Sequence, residues 1–358
     1  MQIKNYVPIL RPKQGELQAI LELNEDTRGE ITPLFDIHRI SIQDAKKKKT
    51  YDDHFDKVVV NLAKYWGPES PFIFDLSAIE LDTRMSDGTH PVSFFVENFL
   101  DNRMKFIIST GTDRDSEHDD AIRLAIKTKK TDRLCVRALK EDLDDPATFM
   151  EFCKTFGLAQ GKIHLLVDLK YVQADELEDL SDRISTFCGE VEITKWASFV
   201  VSASGFPIDM SGIPANSTAE IPRTEFTLWK MIFDAEPLFG RKPKYSDYGL
   251  VNPVKPDMDP ALVKAGGKIR YTTDGSWIVM KGHGLHKGEK YAQYKSLSLK
   301  LIKNPQYKGR DYSWGDGFVY GCAKVAEKKF GNLTTWVKVD TNHHLTFVVE
   351  QIASFGEI

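Results

Sequence analysis

PFIFDLS, residues 71–77, is a short apolar run of strand-forming residues that closes on a carboxylate, Asp75. The same shape returns as ITPLFDI (31–37), closing on Asp36, and as IHLLVDL (163–169), closing on Asp168. Near-continuous apolar runs of this length read as strands covered on both faces, the habit of a parallel sheet. Three of them, separated by sequence of helical period, imply that the strands deliver their last side chains to one common place.

Five further runs extend the pattern: YVPIL (6–10), KFIIST (105–110), RLCVRAL (133–139), ASFVVSAS (197–204) and, more weakly, YSDYGLV (245–251). Between the eight lie segments such as GELQAILEL, HPVSFFVENFL and ADELEDLSDRISTFC, with apolar residues at i, i+3 and i+4. Asp145-Pro146 sets a capping side chain before a first-turn proline, and Asp175 and Thr224 are placed to cap in the same way. Eight strand–helix units over about 250 residues fit an α/β, (β/α)8 TIM-like barrel. An open doubly wound sheet has fewer strands and a glycine-rich first turn, and no GxGxxG follows YVPIL.

The pattern changes after Pro253, which divides the chain into a barrel over 1–255 and a C-terminal appendage over 256–358. IRYTTDGSWIVMKG alternates about Asp274-Gly275, the mark of a hairpin. Helices are expected over 290–303, over 317–331 with Asp316 as cap, and over 343–353. One of them is available to close the last βα unit.

Of the 358 residues, 41% are hydrophobic and 28% charged, enough apolar material for a large core. The formal net charge of −4 gives no global signal for nucleic acid or an acidic membrane. Cys135, Cys153, Cys188 and Cys322 lack CxxC spacing and sit in apolar runs, so reduced core thiols are expected. With no signal-like leader and no apolar stretch of membrane-spanning length, a cytoplasmic protein is expected, with no membrane partner.

In such a barrel the C-terminal ends of the strands share one mouth, where barrel enzymes place their chemistry. Asp36, Asp75 and Asp168 converge there, with Arg137 from the fifth strand, Ser202 or Ser204 from the seventh and Asp247 from the eighth. Arg11 and Lys13 follow the first strand on the same side. Carboxylates beside guanidinium and ammonium groups suit either a divalent metal held by Asp36, Asp75 and Asp168 or a phosphate-bearing substrate held by the cations. Each aspartate alone is equally suited to capping a helix, and Asp36 with Arg137 to a buried structural pair. As a set they are costly to desolvate, which favours function. His38 is the nearest imidazole, a candidate general base, and Glu16 reaches back toward Arg11. No GxSxG, HExxH or Walker loop is present.

A second feature is a run of charge. From Lys264 to Arg310 there are eleven Lys or Arg against Asp274 and Glu289, a net of +9. MKGHGLHKGEKYAQY adds His283, His286, glycines and tyrosines, a composition suited to a loop that meets phosphate or stacks on bases, and equally to a basic face docked on an acidic rim.

YxPxLRxKxGE near the start, ITPLFDI after it, SDYG at 246–249 and NHHLTFVxxQIA near the end together resemble the beta protein family of phages and bacteria, over essentially the whole chain. The shared positions are Tyr6, Pro8, Arg11, Lys13, Gly15, Glu16, Pro33, Asp36, Asp247, Tyr248, Gly249, Asn342, His343, His344 and Thr346. The resemblance supplies these positions and no roles, and implies a phage or bacterial setting, among genes of phage–host conflict. Asn342, His343 and His344 read as the start of the last helix, with one histidine turned to the mouth.

The expectation from these residues is a hydrolase acting on a nucleotide or nucleic-acid end. Asp36, Asp75 and Asp168 serve as acid/base groups or metal ligands, and Arg137 with Arg11 as an anion clamp. Lys13, Ser204, Asp247, Tyr248, His343 and His283 contact substrate. The alternative is a barrel that binds a protein or nucleic acid without chemistry.

Overall fold

The computed structural model describes residues 1–254, 265–286, 288–324 and 330–356. Its strands are β1 (Ile9–Leu10), β2 (Leu34–Asp36), β3 (Phe72–Asp75), β4 (Phe106–Gly111), β5 (Leu134–Ala138), β6 (Ile163–Tyr171), β7 (Ser198–Ser204), β8 (Thr218–Pro222), β9 (Lys244–Asp247), β10 (Gly266–Thr272) and β11 (Ser276–Gly284). The α-helices are α1 (Gln14–Leu21), α2 (Glu25–Gly29), α3 (Ile42–Lys46), α4 (Tyr51–Tyr65), α5 (Pro91–Asp101), α6 (Ser116–Lys127) and α7 (Pro146–Lys154). They continue with α8 (Leu177–Glu190), α9 (Thr224–Asp234), α10 (Glu236–Phe239), α11 (Gln293–Leu301), α12 (Trp314–Lys324) and α13 (Leu333–Ala353).

β1 to β7 and β9 pair side by side, all parallel, in chain order. The two ends meet at Tyr6, which bridges Ile31 on one side and Tyr245 on the other, with Val7 N donating to Tyr245 O at 2.9 Å and Tyr245 N to Asn5 O at 2.9 Å. The sheet therefore closes as the eight-unit pattern predicts, and a strand alternation of two sorts its side chains. Val7, Ile9, Leu34, Ile73, Ile107, Cys135, Leu166 and Val200 fill the interior. Their neighbours Phe35, Phe74, Ile108, Val136, Leu165 and Val201 face outward into the core shared with the helices.

The expected cap at Asp145 is present, its side chain accepting from Thr148 N ahead of Pro146. Asp175 and Thr224 do not cap. Asp175 lies in a short 3-10 turn, and Thr224 is the first residue of α9 itself.

The hairpin about Asp274-Gly275 forms as β10 and β11, and β8, from the loop between β7 and α9, adds a third antiparallel strand to it. This sheet packs with α11, α12 and the first half of α13 around a second core that includes Tyr271, Met280, Tyr294, Leu301 and Trp336. The second half of α13, through Leu345, Val348 and Ile352, joins the barrel's core. It supplies the helix that the last strand lacks, beside α1 and α9. Gly15 on α1 permits the approach, since a Cβ there would stand 2.7 Å from Val337 Cγ1. The C-terminal segment is thus woven into the barrel through β8 and α13, and the division expected near 255 lies outside the described residues.

Candidate functional site

The strand-end aspartates do come together, around one buried guanidinium. Asp36 and Asp75 are register partners on β2 and β3, and Arg137 reaches in from β5 with 2% of its surface exposed. Its Nη1 donates to Asp75 Oδ2 at 2.9 Å and to Ser77 Oγ at 3.1 Å; its Nη2 donates to Asp168 and, at 3.0 Å, to the Tyr248 hydroxyl. Asp75 also accepts from Arg114 Nη2 at 2.9 Å and from Ser77 N at 2.6 Å. Asp168 accepts from the Tyr248 hydroxyl at 2.7 Å and from Lys170 N at 3.1 Å, and Lys170 Nζ lies 3.1 Å from it.

Asp36 is held differently. Ser77 Oγ donates to its Oδ1 at 3.2 Å, and Arg11 Nε stands 3.7 Å from its Oδ2. It keeps 8% of its surface exposed, whereas Asp75 and Asp168 are fully buried. The electrostatics divide along the same line. Burial alone would raise Asp75, but Arg137 and Arg114 outweigh it and hold the carboxyl well below the ordinary range. Asp168 is depressed likewise, with Arg137 and Lys170 overcoming its burial. At Asp36, burial wins, aided by repulsion from Asp75, and the carboxyl is raised in spite of Arg137 and Arg11. Three carboxylates thus face four cations, Arg11, Arg114, Arg137 and Lys170.

Where a divalent ion was expected among Asp36, Asp75 and Asp168, Arg137 is bonded to two of the three carboxylates. The guanidinium of Arg137 bridges Asp75 and Asp168 through one oxygen of each, and the other oxygens are bonded by Arg114, the Ser77 and Lys170 amides and Tyr248. Among the described residues, no group of three His, Cys, Asp or Glu side chains is placed to hold a metal.

The remaining candidates divide. Tyr248 belongs to the cluster. Lys13, exposed, is the N-cap position of α1 beside Arg11. Ser204 is spent on loops, donating to Val251 O at 3.1 Å and accepting from Phe206 N. Asp247 has the opposite strand parity from Tyr248 and lies outside the barrel, where it accepts from the Tyr6 hydroxyl at 2.9 Å and meets His344 Nε2 at 3.0 Å. His343 and His344 do not start a helix. α13 begins at Leu333, capped by Asn332, whose side chain accepts from Thr335 N. His343 is stacked on Tyr271 at 3.7 Å between Asp316 and Thr272 O, away from the mouth. Asp316 is itself inside α12, bonded to Ser313 and Tyr271. His283 is on β11, beside Glu289 and Lys300 in a separate depression of about 300 Å³. Burial pushes the His38 imidazole down to about 2, so it is neutral under ordinary conditions.

Much of the basic segment is engaged within the molecule. Arg270 pairs with Asp340 at 2.8 Å, Lys281 donates to the carbonyls of Met210 and Ile213, and Arg310 meets Asp311. Lys264 and Lys287 lie outside the described residues.

Arg114, Ser77 and Lys170 are functional candidates that the strand-end pattern of the sequence does not pick out, although Ser77 and Arg114 stand two and three residues after β3 and β4 and Lys170 is the penultimate residue of β6. Glu16 was noted. Burial lifts its carboxyl to about 7 against Lys13 and Arg11, and its Oε2 has no partner.

A family model described as Beta protein matches residues 6–350. No curated protein matches the chain. Among solved structures, the arginine decarboxylase of Paramecium bursaria Chlorella virus bound to agmatine is similar at a TM-score of 0.32 and 11% identity, over 77% of this chain and 89% of that one. At that score and identity the likeness says nothing about activity. Among the described residues no helix is long and apolar enough to cross a membrane.

Proposed function

The chain belongs to the beta protein family over residues 6–350, and from that premise we propose that it is a barrel enzyme hydrolysing a phosphate-bearing substrate, a nucleotide or nucleic-acid end, with Asp36 as the acid–base group. One observation carries the reading: the three aspartates are split into two that Arg137 keeps ionised and one whose proton affinity is raised. Carboxyls pushed apart in this way are how one site holds both a fixed charge and a proton carrier. Asp36 is also the aspartate with surface to offer, and the side chains of Arg11 and Lys170 beside it are a quarter to a third exposed. An anion would enter on their side, with its phosphoryl oxygens against the two cations. Ionised Asp36 takes a proton from the attacking water and, once protonated, returns it to the leaving oxygen. Arg137, bonded to Ser77, sets the hydroxyl that orients Asp36.

Turnover of a panel of nucleotides and of p-nitrophenyl phosphate tests the reading. Asp36→Asn is expected to lower kcat by about 100-fold or more. Unchanged turnover in the variant, or no turnover of any ester by the native chain, overturns it.

A second reading, a barrel that binds a protein or nucleic acid in phage–host conflict without chemistry, is favoured by the closure of Asp75, Arg137 and Asp168 on one another. Gel mobility of DNA and RNA over a salt series separates the two, because phosphate contacts weaken steeply with salt.

A further inference from the structure

A cavity of about 560 Å³ lies beside the mouth, between α1, the 38–50 segment and α4. Its volume is in the range that encloses a small organic molecule, roughly 300–1,000 Å³. None of Arg11, Asp36, Asp75, Arg137 or Asp168 lines it, so it is not the cluster described above.

Its walls divide by chemistry. Leu17 and Val58, buried on α1 and α4, with Ile40 and the half-buried ring of Tyr65, give an apolar floor. The charged lining groups are unequally occupied. Asp44 is paired with Lys49 at 2.7 Å. Asp53 is committed to the capping box of α4, accepting from Thr50 N at 3.2 Å. Arg39 pairs with Glu80 at 3.2 Å. Lys13 and Lys57, both lining the cavity, take part in no ion pair among the described residues, and Lys13 makes no capping bond to α1. The lining acids are thus satisfied from within, while two ammonium groups on different walls make no ion pair among the described residues, Lys13 meeting the field of the buried Glu16.

His38 forms part of the cavity wall. Its Nδ1 is buried and has no hydrogen-bond partner, an arrangement that native structures rarely leave unexplained. The ring is fixed by the neighbouring imidazole of His54, 4.9 Å away, whose Nε2 donates to His38 O at 2.7 Å. The Nδ1 of His38 is closed to solvent, so His38 serves the cavity as part of its wall and not as a hydrogen-bonding group.

We infer that this cavity binds a small organic phosphate, its phosphoryl group held by Lys13 and Lys57 and its apolar body laid against Leu17, Ile40, Val58 and Tyr65. Two ammonium groups outside any ion pair suit a doubly charged anion, and inorganic phosphate would leave the apolar floor uncovered. The inference goes beyond the reading of the mouth, because recognition here does not depend on turnover at Asp36. Lys13 and His38 nonetheless follow Arg11 and Asp36 by two residues each, so an occupant touches the same two loops that carry the mouth's anion contact and its acid–base group.

Phenyl phosphate, titrated into the full chain by calorimetry and by NMR of the histidine ring protons, tests it, with inorganic phosphate and phenol as the separate halves. Saturable binding is expected, at least about tenfold tighter than either half, with the His38 ring signal among those that shift. Lys13→Gln with Lys57→Gln should weaken it by about tenfold or more, and Asp36→Asn should leave it unchanged. Both lysines are exposed, so their replacement does not threaten the fold. Ile40→Trp, which adds bulk at the apolar floor, should weaken binding by about tenfold or more with the lysines intact. No saturation up to about 10 mM, or equal affinity in the native chain and the double-lysine variant, overturns the inference. Loss of turnover in Asp36→Asn with binding retained would leave both readings standing; binding without any turnover would remove only the enzymatic one.

Discussion

Replacing Arg137 by Met keeps an unbranched stem and deletes the charge on which the cluster turns. In the native chain the guanidinium is 2% exposed and bonded to Asp75, Asp168, Ser77 and Tyr248. Unit charges about 3 Å apart at an effective dielectric near 20 attract by roughly 5 kcal/mol, most of which is cancelled by the cost of desolvating the partners. Breaking such a buried pair typically costs about 3–5 kcal/mol, because a carboxylate is left behind uncompensated. The lower end applies here: Asp75 retains Arg114 and the Ser77 amide, and Asp168 retains Lys170 and the Tyr248 hydroxyl. About 3 kcal/mol, roughly 150-fold in the unfolding equilibrium, is therefore expected at pH 7 by urea titration.

The pH dependence gives a sharper check. Asp75 and Asp168 are depressed in the native fold, so their contribution is present above the ordinary carboxylate pKa near 4 and is lost as pH falls through their lower folded values. Without Arg137, burial raises both, and the sign reverses: the variant should recover relative to the native chain as pH falls from 7 toward 5. Arg137→Met combined with Asp75→Asn and Asp168→Asn should regain most of the loss, since no buried charge is then stranded. A cost under about 1 kcal/mol with no recovery on acidification would refute the account of the cluster as an electrostatic keystone.

Asp36→Asn should leave the urea midpoint at pH 7 unchanged or slightly higher, because its raised carboxyl is a penalty once ionised, while turnover falls. Glu225, buried against Arg223 and lifted by burial to about 7, favours the protonated fold; native stability should decline as pH rises from about 4.5 to 7, and Glu225→Gln should flatten that decline by on the order of 3 kcal/mol in a melting series. Glu16 and Asp340, lifted to about 7 and about 6, leave a residual slope in the same direction. Gly315→Ala on α12 places a Cβ 2.4 Å from the Val339 carbonyl oxygen of α13, and should cost about 1–3 kcal/mol by chemical denaturation.

The barrel was legible because its strands are apolar on both faces, so each of the eight runs stands out whatever its neighbours do. β8 was not. Its residues, TAEIP, alternate between exposed and half-buried with none fully buried, and its Thr, Glu and Pro read as loop. The convergence of Asp36, Asp75, Asp168 and Arg137 followed from their place at strand ends. The parity of Asp247 did not, because Ser246 and Asp247 are both polar and offer no contrast between the inner and outer faces. His343 and His344 were misplaced for a related reason: the first ten residues of α13 are rich in Thr, Val and Asp, which weakens the helical signal until Leu345. The saturation of Asp75 and Asp168 by Arg137 is a tertiary property, set by rotamers and burial that no spacing encodes.

α13 feeds both hydrophobic interiors, with Trp336 and Val339 in one and Leu345, Val348 and Ile352 in the other. A rigid rod shared end to end joins the two as beams joined by one dowel, and neither can come apart while the other stays whole. Calorimetry should accordingly record a single cooperative heat-absorption peak for the barrel and the three-stranded sheet together.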